Sequence, residues 1–159
     1  MSNDKSSIIV FLKDEQASIL YATQLAEHLQ APLILTFSGN IGAGKTTIIR
    51  AMLRTLGIQC AIKSPTFSLV ESYTCTDFVV HHFDLYRIHD AEELEYIGFR
   101  DFFSEQSICC IEWAEHAGPF LPNIDLRCSL SVKESGRELE IKALSEVGQK
   151  IVAGLTGEQ

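Results

Sequence analysis

Nothing in this 159-residue chain approaches the roughly 18 consecutive apolar residues of a membrane-crossing helix. The opening apolar run, Ile8 to Leu12, is too short for the core of a secretory signal. Cysteine is scarce and badly spaced for structure: five residues, an odd number, with no C-x-x-C pair. That excludes a disulfide framework and a zinc ribbon, and Cys109 and Cys110 sit together inside an apolar run as small hydrophobes. The five histidines lack metal-ligand spacing. Basic residues are outnumbered, 13 against 21 acids, for a net charge of −8. An acidic chain is a poor autonomous binder of nucleic acid, whose phosphates demand a dominant basic surface, though it can reach RNA through a partner. Repeats, low-complexity tracts and linkers are missing too. With 46% apolar and 21% charged residues, the expectation is a single domain over residues 1–159, soluble and in a reducing cytoplasm.

What is present is a phosphate-binding loop. Gly39-Asn40-Ile41-Gly42-Ala43-Gly44-Lys45-Thr46 satisfies G-x-x-x-x-G-K-[ST], and its surroundings suit it. Leu33 to Phe37 reads as a short buried parallel strand, and Thr46 to Leu56 runs on as a helix that Gly57 ends. The glycines let the backbone curl so that successive N–H groups face an anion, and the helix N-terminus adds partial positive charge. In this arrangement Lys45 reaches the β- and γ-phosphates and the Thr46 hydroxyl holds Mg²⁺. The chain is therefore expected to bind a nucleoside triphosphate through Gly39, Asn40, Ile41, Gly42, Ala43, Gly44, Lys45, Thr46 and Thr47.

Around the loop, the pattern predicts a strand over Ile8–Leu12 and a helix opened by Asp14 or Ser18 and closed before Pro32. Phe67–Tyr73 and Phe78–Asp84 alternate like a hairpin. Asp90 with Glu93 suggests a capping box for a short helix over Ala91–Tyr96. Ser107–Glu112 is an apolar strand ending in an acid. Asp125–Val132 and Arg137–Ala143 suggest a second hairpin, followed by a helix from Ser145 to Leu155. The fold class is α/β: a P-loop NTPase fold with a mixed, mainly parallel sheet, flanking helices and antiparallel hairpin additions.

Hydrolysis needs an acid near the metal and a group that orients water. Glu112 closes the strand Ile108-Cys109-Cys110-Ile111, at the carboxyl end where ligands of such sheets sit. Asp84 also follows an apolar strand and is a candidate to bind a Mg²⁺ water or to activate the attacking water, with a helix or turn cap as its plainer role. Thr66, in Ser64-Pro65-Thr66, is either a γ-phosphate sensor or part of a Pro-fixed turn. Trp113, beside Glu112, either packs near the nucleotide or is a half-buried core aromatic. Arg87 and Arg100 are candidates for phosphate or partner contact, or for surface ion pairing. Neither Asn-Lys-x-Asp nor Asp-x-x-Gly occurs, so guanine is not read as G proteins read it and ATP is the default. The segment Asp14-Glu15-Gln16 is placed to flank the base. Two other classes stay open: a small-molecule or nucleotide kinase, and a nucleotide-gated binding module without turnover. Against the kinase, six arginines are scattered where a phosphate-closing lid would cluster them.

Taken in series, the phosphate loop with Thr47, Lys63-Ser64-Pro65-Thr66-Phe67-Ser68-Leu69-Val70-Glu71, His82-Phe83-Asp84-Leu85-Tyr86-Arg87, Glu92-Glu93-Leu94-Glu95 through Gly98-Phe99-Arg100-Asp101, and Ile111-Glu112-Trp113 resemble the TsaE (formerly YjeE) family. These are small bacterial ATPases of tRNA threonylcarbamoyladenosine synthesis. The resemblance runs from about Asp14 to Gly118; past Leu121 only a hairpin-like pattern continues. It implies Mg²⁺-dependent ATP hydrolysis in assembly with TsaD and TsaB, which modify adenosine 37 of ANN-decoding tRNAs, so tRNA is met only through the complex. It also implies that Lys45, Asp84, Glu112 and Thr66 are catalytic, that Thr46 and Glu112 attend the metal, and that Glu15 flanks the nucleotide. The family often has Pro after the Trp; here Ala114 predicts a local change of loop.

Overall fold

The strand Ser107–Glu112 is buried at all six positions, which requires cover on both of its faces and neighbours on both of its edges. The computed structural model describes residues 6–40 and 42–157 and shows how that cover is built. Its strands are β1 (Ser7–Leu12), β2 (Leu33–Ser38), β3 (Val70–Thr74), β4 (Val79–Asp84), β5 (Ser107–Glu112), β6 (Leu126–Lys133) and β7 (Gly136–Ala143). The helices are α1 (Glu15–Glu27), α2 (Lys45–Thr55), α3 (Glu93–Tyr96) and α4 (Glu146–Thr156). The strands form one seven-stranded sheet in the order β1-β7-β6-β2-β5-β4-β3. Its centre, β6-β2-β5-β4, is parallel throughout, while β1, β7 and β3 add antiparallel edges. This is the mixed α/β P-loop architecture that the sequence implied.

Alternation along β5 divides the core. Ile108 and Cys110 join a cluster with Leu25, Met52, Leu53 and Val152 from α1, α2 and α4. Cys109 and Ile111 join a cluster on the opposite face, with Phe83, Leu85, Leu94 and Phe99. Phe83 is fully buried and meets Phe99 and Phe102 edge-on at 5.1 and 5.2 Å. Burying one such ring is worth roughly 1.5–3 kcal/mol.

The helices start where their sequences allow. Asp14 caps α1 by accepting from the Ala17 N–H at 2.8 Å, and Ser145 caps α4 by accepting from Gly148 at 3.0 Å. Ser145 also donates to Asp125 Oδ1 at 2.7 Å, while Asp125 Oδ2 accepts from the Ile34 N–H at 2.9 Å. One carboxylate thus ties α4 to β2, and so supports the strand that delivers the phosphate loop.

Two local expectations need correction. The alternation at Phe67–Leu69 does not form strand. Leu69 N–H donates to Pro65 O at 2.8 Å, Leu69 sits at φ 69°, and Phe67 is 82% exposed, so β3 begins only at Val70. Here Pro65 opens a turn that the apolar pattern concealed. The expected capping box also shifts: α3 starts at Glu93, and Asp90 Oδ1 instead accepts from Glu92 N–H at 3.0 Å in the preceding turn. After Glu112 the chain enters a 3-10 segment, Ala114–Phe120, kinked at Gly118. Among the described residues, no helix is long and apolar enough to cross a membrane.

Candidate functional site

The parallel strands β2, β4 and β5 end together, and each delivers part of one cleft. From β2 the chain enters the phosphate loop, of which Ile41 lies outside the described residues. Gly39 packs so tightly on β6 that a Cβ there would stand 2.5 Å from Leu130 O. Gly44 caps α2 in the left-handed region (φ 102°) with no side-chain cap, and the first turn of α2 carries no acid. An uncapped eleven-residue helix with no negative charge at its start is suited to an anion. Ala43 is buried, and its N–H already donates to Asn40 O at 3.0 Å.

β4 and β5 bring the acids. In their register Asp84 pairs with Glu112, so both carboxylates, and His82 two residues before Asp84, project from one face of the sheet. Glu112 is 7% exposed. Its Oε1 lies 3.9 Å from Lys45 Nζ, and its Oε2 lies 2.8 Å from His82 Nε2. Asp84 accepts from Thr66 Oγ1 at 3.3 Å and from the Tyr86 N–H at 3.0 Å, and Thr66 in turn shares a 2.7 Å hydrogen bond with Ser64. Two polar groups therefore meet at the cleft: the Ser64–Thr66 turn with Asp84 on one strand, and His82 with Glu112 and Lys45 on and beside the next.

The cleft that results holds about 510 Å³ and is lined by Gly42, Gly44, Lys45, Thr46, Thr47, Thr66, Asp84, Tyr86, Glu112 and Trp113. Trp113 adopts φ 58°, a conformation costly for a bulky residue. The twist brings its ring 5.2 Å from Lys45 Nζ and 5.0 Å from the Tyr86 ring. A second hollow of about 610 Å³ shares Gly42, Gly44 and Thr47 with the first and extends to Asp14, Glu15 and the β6–β7 turn, Lys133–Arg137. Thus Glu15, Gly42, Gly44, Lys45, Thr46, Thr47, Thr66, Asp84 and Glu112 all line one or the other hollow. Gly39 borders a small recess beside Lys45 and Trp113.

Two of the anticipated cations lie elsewhere. Arg87 stacks on Phe67, 4.2 Å from its ring, and Arg100 pairs with Glu95 at 3.6 Å on the surface. Two residues that sequence reasoning passed over take their place. Arg137 donates to the Ala43 carbonyl at 3.1 Å and the Gly42 carbonyl at 3.3 Å, bracing the loop from its outer side. Its signal was a basic residue directly after the hairpin glycine, unreadable without the register. His82, which like the other histidines lacks metal-ligand spacing in the sequence, contacts the Glu112 carboxylate. Its Nδ1 is buried without a hydrogen-bond partner among the described residues, a defect costing on the order of 1–3 kcal/mol.

Reactive sulfur is not part of the site. Burial pushes Cys109 up to about 11 and Cys128 up to about 12, and raises Cys110 further, so these remain inert thiols.

With this geometry in place, the comparison with known proteins is direct. The family model described as "Threonylcarbamoyl adenosine biosynthesis protein TsaE" matches residues 12–139. The chain belongs to the TsaE family. A relative from Haemophilus influenzae, named tRNA threonylcarbamoyladenosine biosynthesis protein TsaE, is 36% identical over 155 residues, covering 94% of this chain and 98% of its own. A Bacillus subtilis protein of the same name is 32% identical over 117 residues, covering 74% and 72%. Among solved structures, the crystal structure of Bacillus subtilis YdiB superposes with a TM-score of 0.81 at 22% identity, over 95% of each chain. That likeness establishes the shared fold. The family match continues past Gly118 to include Arg137, so membership covers both hollows and not the phosphate loop alone.

Proposed function

We propose that this chain is the Mg²⁺-dependent ATPase subunit of a tRNA-modifying assembly, required for threonylcarbamoylation of adenosine 37 in ANN-decoding tRNAs and acting through TsaB and TsaD. The observation that carries the reading is the convergence of Lys45, Thr46, Thr66, Asp84 and Glu112 on one cleft in a chain of the TsaE family. In this reading the triphosphate occupies the cleft under the N-terminus of α2. Phosphate oxygens accept from the loop N–H groups and from Lys45, and the base enters the hollow between Glu15 and the β6–β7 turn. The two hollows are contiguous through Gly42, Gly44 and Thr47, which is the connection a nucleotide requires.

The side chains fit magnesium. Thr46 offers a hydroxyl and Glu112 and Asp84 offer carboxylates, all hard oxygen donors, whereas no cluster of three or more His, Cys, Asp or Glu able to hold a metal occurs among the described residues. A partial oxygen set completed by phosphate and water is how Mg²⁺ is usually held. Thr46 and Glu112 would hold it directly or through its waters, and bound there it would neutralise charge on the β- and γ-phosphate oxygens. Asp84, tethered by Thr66 and Tyr86, is the acid free to orient or deprotonate the attacking water. Thr66, hydrogen-bonded to Asp84, links the 64–69 turn to the γ-phosphate position.

The acidic surface agrees with a subunit that does not itself hold tRNA. The soluble, cytoplasmic setting expected from the sequence belongs to the same proposal. The test is steady-state ATP hydrolysis with Mg²⁺, alone and with TsaB and TsaD, using Lys45→Ala as the blank. The reading expects turnover that rises strongly with the partners and vanishes in the variant. A rate indifferent to both would overturn it.

A further inference from the structure

We infer that His82 is a positioning residue for Glu112: its ring fixes one carboxylate oxygen and so aims the other at the phosphate cleft. The inference rests on the nucleotide reading above and deepens it.

His82 is 6% exposed and Glu112 7%, so their 2.8 Å contact is made out of reach of bulk water. Cross-strand geometry forces the pairing. Asp84 stands opposite Glu112 and His82 opposite Cys110, which places His82 on the diagonal to Glu112 on the same sheet face, within reach of a long side chain. Among the described residues the imidazole has no other polar contact, because Nδ1 is buried without a hydrogen-bond partner. If the position served packing alone, an aliphatic side chain would fill it without that defect. The one polar service that the ring performs is to hold Glu112 Oε2 by donation from Nε2–H. With Oε2 held, Oε1 is the oxygen left to face Lys45, 3.9 Å away. The carboxylate then keeps one rotamer, and the cleft receives an oxygen already in place when the nucleotide arrives. Partners that orient a ligating or catalytic carboxylate in this way typically change metal affinity or turnover by about 10–100-fold when removed.

His82 also borders a small hollow of about 90 Å³ behind the cleft, together with Thr46, Thr66 and Asp84. Its loss would therefore be felt on the metal side of the cleft more than on the side of the base.

Two substitutions separate positioning from packing. His82→Leu retains volume and removes the donor. His82→Gln carries an N–H to about the place of Nε2 and restores it. Trp113 is the only tryptophan in the chain and lines the cleft, so its fluorescence reports ligand entry independently of turnover. Wild type, Leu and Gln variants are titrated with ADP without metal, then with Mg²⁺ at fixed ADP, and their thermal midpoints and partner-stimulated turnover are measured.

The expected result for His82→Leu is unchanged metal-free ADP affinity, an unchanged or higher thermal midpoint, and a Mg²⁺ half-saturation raised about 10-fold with kcat lowered about 10–100-fold. His82→Gln should recover most of both. Equal behaviour of Leu and wild type in the Mg²⁺ titration and in kcat would overturn the inference while leaving the nucleotide reading intact. A fall in thermal midpoint with parallel loss of metal-free ADP affinity in both variants would make His82 a packing residue and overturn it too. Wild-type protein whose fluorescence ignores nucleotide would bring down the nucleotide reading and this inference together.

Discussion

The two halves of the sheet contribute to the site by different means. The parallel half, β2-β5-β4, centres on the fully buried β5 and ends its strands together, so that Glu112 and Asp84 open onto one cleft beside the loop that follows β2. The antiparallel half, β1-β7-β6, alternates, with Ile9 62% and Phe11 54% exposed on β1. Among the described residues it sends no acid into the cleft around Lys45. Its part is a turn, Lys133–Arg137, that walls the second hollow and braces the phosphate loop through Arg137. The contrast teaches that motif chemistry comes from strands that end in register, whereas the support of that chemistry comes from a hairpin whose register must be known.

The comparison can be broken at several places. The largest effect is expected for Glu112→Gln on the parallel side: partner-stimulated turnover should fall by on the order of 100-fold or more, with metal-free nucleotide affinity held within about 3-fold. Single-turnover kinetics beside a fluorescence titration would read the split, and equal losses in both would reduce Glu112 to a structural acid. Next, if Lys45 makes the proposed charge-assisted phosphate contact, worth roughly 2–3 kcal/mol, Lys45→Ala should weaken nucleotide affinity by about 30–150-fold while the thermal midpoint barely moves. Wild-type affinity in that variant would remove the phosphate from the loop altogether.

A smaller effect is expected on the antiparallel side. Arg137→Met keeps the stem and deletes the hydrogen bonds to the Gly42 and Ala43 carbonyls. Nucleotide affinity should weaken by about 5–10-fold, in line with a net loss of about 1–1.5 kcal/mol, with kcat at saturation nearly unchanged. A large fall in kcat at unaltered affinity would put Arg137 in the chemistry and erase the division between the halves.

The smallest effect concerns His81, on the face of β4 away from the cleft. Burial pushes it below its ordinary value of 6.5, with Phe102 4.9 Å away and Ser72 Oγ 2.7 Å from its Nδ1. Because the folded state disfavours the protonated ring, this contribution to stability is full above the unfolded value and is lost as pH falls through 6.5 toward the lower folded value. Denaturant melts at pH 5 to 8 should show a shallower acid-side decline in His81→Phe than in wild type. Identical slopes would remove the contribution.

Much of the parallel half was legible in the sequence because its strands are short apolar runs with polar ends, and β5 was anticipated at both ends. Phe67–Leu69 misled because alternation is a packing signal and carries no information about the turn that Pro65 imposes. The two hairpins were visible as patterns, but their meaning for the site was not. Arg137 reaches the phosphate loop across 94 residues of sequence, and His82 finds Glu112 across 30. Such contacts follow from register, which a single sequence does not state. Trp113 was expected near the nucleotide from its place beside Glu112, but the left-handed backbone that brings its ring 5.2 Å from Lys45 Nζ is announced by no side-chain pattern.

The most direct test of the division of labour is a crystal structure with Mg²⁺ and a non-hydrolysable ATP analogue. The account predicts the phosphates under the N-terminus of α2 against Lys45, the metal on Thr46 with Glu112 beside it, and the base between Glu15 and the Lys133–Arg137 turn. A nucleotide bound with its phosphates away from Lys45, or with its base on the far side of β4, would contradict it.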